Sequence, residues 1–117
     1  MKIFTKQIVK KLKKNHEKYI MGTDRSMELM EQKPVVKVFN PMGSATWLLS
    51  SLDEEGRLFG LCDLGMGFPE IGFVLKSEIE QFSNSFGLGL ERDKFFNPEY
   101  TLIEYTDIAR EKGRIVA

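Results

Sequence analysis

Apolar positions along the chain change period several times, and each change marks a predicted element. Between residues 5 and 20, Ile8, Val9, Leu12 and Tyr19 recur at helical spacing. Thr5 stands where a hydroxyl can cap the first turn, and Gly22 stands where such a helix would stop. A helix over 5–20 would therefore carry a narrow apolar stripe and a broad polar circumference. Residues 22–33 read as a polar connection in which Met27, Leu29 and Met30 can form a short helical turn. The β-branched run Pro34 to Phe39 predicts a strand, entered by a proline where a missing amide does least harm. Asn40 to Ser44 is a turn, and Ala45 to Leu52 is a second strand with Thr46, Leu48 and Ser50 on one face and Trp47, Leu49 and Ser51 on the other. Asp53 to Arg57 closes a hairpin around Gly56. Leu58 to Leu64 returns as a third strand, and the turn Gly65 to Pro69 leads into a fourth, Glu70 to Leu75.

Ser77 and Glu80 have the spacing of a capping box, which predicts a helix to about Ser85 with Gly87 as its stop. Leu88 to Asp93 reads as a loop or short edge strand, and Phe95 and Phe96, just before Asn97-Pro98, as plugs for the core. Thr101 and Glu104 form a second capping box; Leu102, Tyr105, Ile108 and Ala109 then give one apolar stripe, and Gly113 suits the helix end. Arg114 to Ala117 offers one more edge strand. Short links between successive strands favour an antiparallel meander. The expected fold is α+β: a mainly antiparallel sheet of four to five strands with N-terminal, middle and C-terminal helices packed on it, the terminal helices on one face, all within a single domain spanning 1–117.

Composition narrows the functional classes. At 117 residues and 42% hydrophobic content the chain can bury a core without a metal or disulfide. One cysteine forbids an internal disulfide and points to the cytoplasm. No apolar run approaches the ~20 residues that span a bilayer, and no signal-peptide pattern is expected at the start. The net charge is zero but unevenly placed. Residues 1–20 hold seven lysines against Glu17, whereas Asp53 to Asp93 holds nine acids against three basic residues. Lys10, Lys13 and Lys14 lie centrally in the basic stretch, on what is either a solvated helix face or an electrostatic contact for phosphates or an acidic partner. No regular aromatic interleaving among the lysines supports a base-stacking surface. Asp53, Glu54 and Glu55 form the corresponding acidic contact.

Candidate chemistry concentrates between Phe59 and Val74, where four glycines, the only cysteine, two acids and a proline sit between apolar runs. Cys62, Asp63 and Glu70 are acceptable zinc ligands on two arms of a hairpin. Adjacent Cys62 and Asp63 point to opposite faces of a regular strand, so one ion can take both only if a bulge intervenes. The competing reading is a small buried cysteine with Asp63 capping the glycine-rich turn. Gly65-Met66-Gly67 lacks the lysine and following helix of a phosphate loop. His16, the only histidine, lies on the lysine helix away from Cys62 in sequence, leaving a cysteine nucleophile without a base. Asp63 and Glu70 would serve acid/base work only by converging on a pocket.

Several of these segments resemble a family of small bacterial proteins known as domain of unknown function 2958. They are Lys2 to Lys6, Pro34 to Phe39, Ala45 to Leu49, above all Phe59 to Gly72, and the endings Glu91-Arg92-Asp93 and Gly113 to Val116. The resemblance covers nearly the whole chain. It implies an accessory protein of plasmids, phages and integrated elements, in gene neighbourhoods that frequently encode inhibitors of host defence. Relatives often carry an acid where Ser51 stands and a histidine close to Phe95, and a site using those side chains would be altered here. The expectation is a non-catalytic anti-restriction or anti-CRISPR inhibitor that binds a host nucleoprotein nuclease, with or without its RNA, through charged surface. The alternative is a small metal-dependent enzyme or metalloprotein centred on Cys62, Asp63 and Glu70, with zinc as the candidate metal.

Overall fold

In the computed structural model, which describes residues 2–20 and 29–117, the layering follows from two strands that are apolar on both sides. β1 (Val36–Phe39), β2 (Thr46–Leu52), β3 (Arg57–Asp63), β4 (Glu70–Leu75) and β5 (Glu91–Arg92) form one antiparallel sheet in the order β4-β3-β2-β1-β5. Six of the seven β2 residues are buried, as are most of those in β3. A strand buried on both faces needs a cover on both. On one side α1 (Lys6–Ile20) and α2 (Lys76–Gln81) supply Leu12 and Ile79, which pack with Val36, Val38, Leu49, Leu52 and Leu58. On the other, α3 (Leu102–Lys112) packs Leu102, Tyr105 and Ala109 against Leu48, Phe59 and Leu61.

The expected antiparallel α+β sheet with three helices is present, but the terminal helices lie on opposite faces rather than one. Trp47-Leu48-Leu49 is the reason, since neighbouring large apolar residues on a strand point both ways.

A bulge adjusts β2 to its covers. Leu49 pairs with Gly60 while Ser51 pairs with Phe59, so Ser50 is the extra residue. Without it, Leu49 and Leu52, three apart, would face opposite sides; with it, both reach the α1 side and Ser51 turns to the α3 side. Ser51 thus departs from the strict alternation expected of this strand. Buried Ser50 donates its hydroxyl to the Phe59 carbonyl at 3.4 Å, and Asn15 of α1 donates to the Ser50 carbonyl at 2.8 Å. Here β3 must lie very close: a Cβ on Gly60 would run into the Leu48 carbonyl oxygen and sit 2.9 Å from the Leu49 Cα.

Thr5 caps α1, accepting from the Ile8 amide at 3.2 Å. The capping box at Thr101 and Glu104 is formed, and Gly113 ends α3 in the left-handed conformation. The other expected box is not. Leu75 occupies the N-cap of α2 without a side-chain cap, because β4 runs straight into the helix and the Lys76 amide is satisfied by the Gly56 carbonyl at 2.9 Å. α2 ends at Gln81, and Gly87 instead belongs to a turn organised by Asn84, whose carboxamide oxygen accepts from the Phe86 and Leu88 amides. Phe95 is 94% exposed, so only Phe96 of the pair contributes to a core, beside Tyr105. Residues 114–117 add no strand, for the Ile115 amide is taken by a side chain of β3. Gly22 and Met27 lie outside the described residues.

Gly60 and Gly72 are cross-strand partners with opposite tolerances, since a Cβ on Gly72 meets nothing within 4 Å. Gly60→Ala is expected to cost roughly 3 kcal/mol, the upper part of the overpacking range, while Gly72→Ala stays within about 1 kcal/mol of the parent. Urea unfolding of both variants checks this contrast.

Candidate functional site

The stretch from Phe59 to Val74 places its polar groups on two sides of the sheet. Cys62 pairs with Trp47 and Glu70, and Asp63 pairs with Thr46, in regular register. The bulge that a shared ion would require between Cys62 and Asp63 has formed in β2 instead. Cys62 and Glu70 therefore share the α1 side, while Asp63 faces the α3 side. Asp63 is 3% exposed, and its two carboxylate oxygens accept from the Gly65 amide at 2.8 Å and the Ile115 amide at 2.9 Å. It fastens both the glycine turn and the C-terminal tail, as its turn-capping reading requires. Gly65 and Gly67 make that turn with φ of 82° and 83°. The predicted zinc set of Cys62, Asp63 and Glu70 is not brought together, and no group of three His, Cys, Asp or Glu among the described residues could hold a metal ion.

Cys62 and Glu70 instead border an open trough of about 640 Å³ on the α1 side. Gly60 and Gly72 form part of its floor, where absent side chains leave space, and Leu64, Met66 and Phe68 stand exposed at its edge. Burial pushes the Cys62 thiol up, and the negative charges of Asp63 and Glu70 add to this, outweighing a hydrogen bond from Trp47. A protonated thiol is a poor nucleophile and a poor metal ligand.

The acidic hairpin divides by role. Asp53 is committed to the loop: one carboxylate oxygen accepts from the Glu55 and Arg57 amides, each at 2.9 Å, and the other pairs with the Arg57 guanidinium at 2.7 Å. Burial pushes its pKa up, but the hydrogen bonds from Arg57 and Glu55 and the charge of Arg57 together hold it below its ordinary value of 3.8. Glu54 and Glu55 remain exposed.

The basic surface is larger than Lys10, Lys13 and Lys14. All three are exposed, and none of the α1 lysines makes an ion pair among the described residues. Lys2, Lys6 and Lys76 join them around one groove, floored by Phe4 and Val9. On the other flank of α1, Lys11, Lys18 and Lys33 line a second groove. Lys33 and Lys76 come from distant parts of the chain, and no spacing in the sequence linked them to α1. His16 is half-buried near Tyr19, with 6.0 Å between ring centroids, and borders a cleft with Asp53 and Glu54.

Together these features define a small three-layer α+β protein with one lysine-covered helix. The model of the family described as "Protein of unknown function (DUF2958)" matches residues 3–116, and the chain belongs to that family. No curated protein and no solved structure gave a match. Among the described residues no helix is long and apolar enough to cross a membrane.

Two consequences are measurable. Because folding lowers the Asp53 pKa, its contribution to stability is full above the ordinary value of 3.8 and fades as pH falls through the lower folded value. Asp53→Asn is thus expected to destabilise the chain at neutral pH and to approach the parent at pH ~3, as read by urea unfolding at both pH values. Cys62 is expected to alkylate with iodoacetamide at least about tenfold more slowly than a free cysteine at neutral pH, with the difference vanishing in denaturant. Mass spectrometry over a time course measures it.

Proposed function

We propose that this chain is a non-catalytic binding protein, an accessory of a mobile element that inhibits a host defence nuclease by docking charged surface onto the nucleoprotein complex. The observation that supports this reading is the exposed lysine face of α1, which makes no ion pair among the described residues. Lys6, Lys10 and Lys14 follow one another at i,i+4, and each such like-charge pair costs a helix about 0.2–0.5 kcal/mol. Repulsion of this kind weakens folding and is relieved when an anionic partner covers the face. The exposed Glu54 and Glu55 offer a secondary contact for a cationic channel, whereas Asp53 acts through the shape of the hairpin. Asp63 is occupied by backbone amides and Cys62 is held as a thiol, which leaves the metalloenzyme alternative without a specific observation in its favour.

The test is co-expression with a restriction or CRISPR nuclease, scored by survival of a targeted plasmid. Protection by the parent chain, reduced at least about tenfold in a Lys10→Glu, Lys13→Glu, Lys14→Glu variant that keeps its circular dichroism spectrum, is the expected result. Equal protection by both proteins would exclude the lysine face as the contact. No protection against either a restriction or a CRISPR nuclease would remove support for the inhibitor reading.

A further inference from the structure

The geometry points to duplex DNA as the ligand of α1, with the helix lying along a groove and its two lysine flanks each following one row of phosphates. This deepens the charged-surface reading and rests on the same helix, but it is tested on the purified chain without any nuclease.

Three observations carry it. First, the lysines fall on two flanks rather than one patch. Lys6, Lys10, Lys13 and Lys14 border the groove shared with Lys2 and Lys76, while Lys11 and Lys18 border the groove shared with Lys33. At 3.6 residues per turn, Lys11 and Lys13 stand about 160° apart around the axis. Lys10 and Lys14 stand between them around the axis, on the crest that edges the first groove, and Leu12 is buried on the opposite side.

Second, the dimensions agree. A helix of 15 residues is about 22 Å long and about 10–12 Å across with its side chains, comparable to the ~12 Å width of the DNA major groove. The deep, narrow major groove of an RNA duplex does not admit a helix.

Third, the charge is available. Within α1 the only acid is Glu17. Glu80 at the groove edge is held by Lys76 at 3.1 Å, and no α1 lysine is paired among the described residues. The exposed positions of the helix carry no aromatic ring on which unpaired bases would stack, which favours duplex over single strands. Gln7, Lys10 and Lys14 make a flexible polar crest, so binding is expected to follow phosphates rather than sequence.

Fluorescence anisotropy of the full chain with a DNA duplex of about 20 base pairs, across about 50–250 mM salt, tests this. Five to six phosphate contacts predict a slope of log K against log salt of about −5. Lys6→Gln with Lys13→Gln is expected to reduce that slope by about 2, and Lys11→Gln with Lys18→Gln to do the same independently. These side chains are exposed, and circular dichroism checks that both variants fold. No duplex binding at the lowest salt overturns the inference, as does a loss confined to one flank. Equal affinity for an RNA duplex, for single-stranded DNA or for polyglutamate of matched charge also overturns it. Nuclease inhibition that persists without duplex binding would reject DNA as the ligand while leaving the inhibitor reading in place.

Discussion

The close approach of β2 to β3 at Gly60 is the constraint on which the rest of the fold depends. The extra residue at Ser50 lets Leu49 and Leu52 both face α1, and the backbone distortion is accommodated because Gly60 offers no side chain to the Leu48 carbonyl. Asn15 of α1 reads the same spot by donating to the Ser50 carbonyl. One bulge therefore sets the register of the central hairpin, the phase of its apolar face and the seating of the lysine helix. The exposed face of α1 is presented as it is because the opposite stripe has this one site to occupy.

Asp63 makes the second long-range tie. A buried carboxylate is costly unless its oxygens are satisfied, and here both accept backbone amides, one from the adjacent turn and one from Ile115, 52 residues away. The acid most suggestive of chemistry in the sequence thereby acts as a fastener. Cys62, its neighbour, faces the other way into a trough with the thiol held protonated. The crowding of cysteine, acids and glycines reflects the geometry of a central hairpin in which each polar group has a local task.

Much of this was legible along the chain. The periods of apolar residues marked four of the five strands to within two residues, and Thr5, Thr101, Glu104 and Gly113 marked helix ends through local hydrogen bonds and a left-handed residue. Such signals act over a few residues, so they survive in one dimension. The failures were tertiary. Ser77 and Glu80 have capping-box spacing, yet the helix begins one residue earlier with Leu75 at its N-cap, and the Glu80 carboxylate pairs with the Lys76 ammonium. Phe95 is as apolar as Phe96, but the turn accepting at Asp93 directs it into solvent.

The sequence by itself determined the class of fold, the basic character of the first helix and the glycine turn at the centre, because propensity, charge and backbone sterics are properties of neighbouring residues. Only the tertiary structure decided that the terminal helices cover opposite faces, that Cys62 and Asp63 are parted by the sheet, and that Lys33 and Lys76 complete grooves on either flank of α1. Those outcomes depend on which surfaces meet, and the pairing of β2 with β3 around one bulge determines that for residues far apart in the chain.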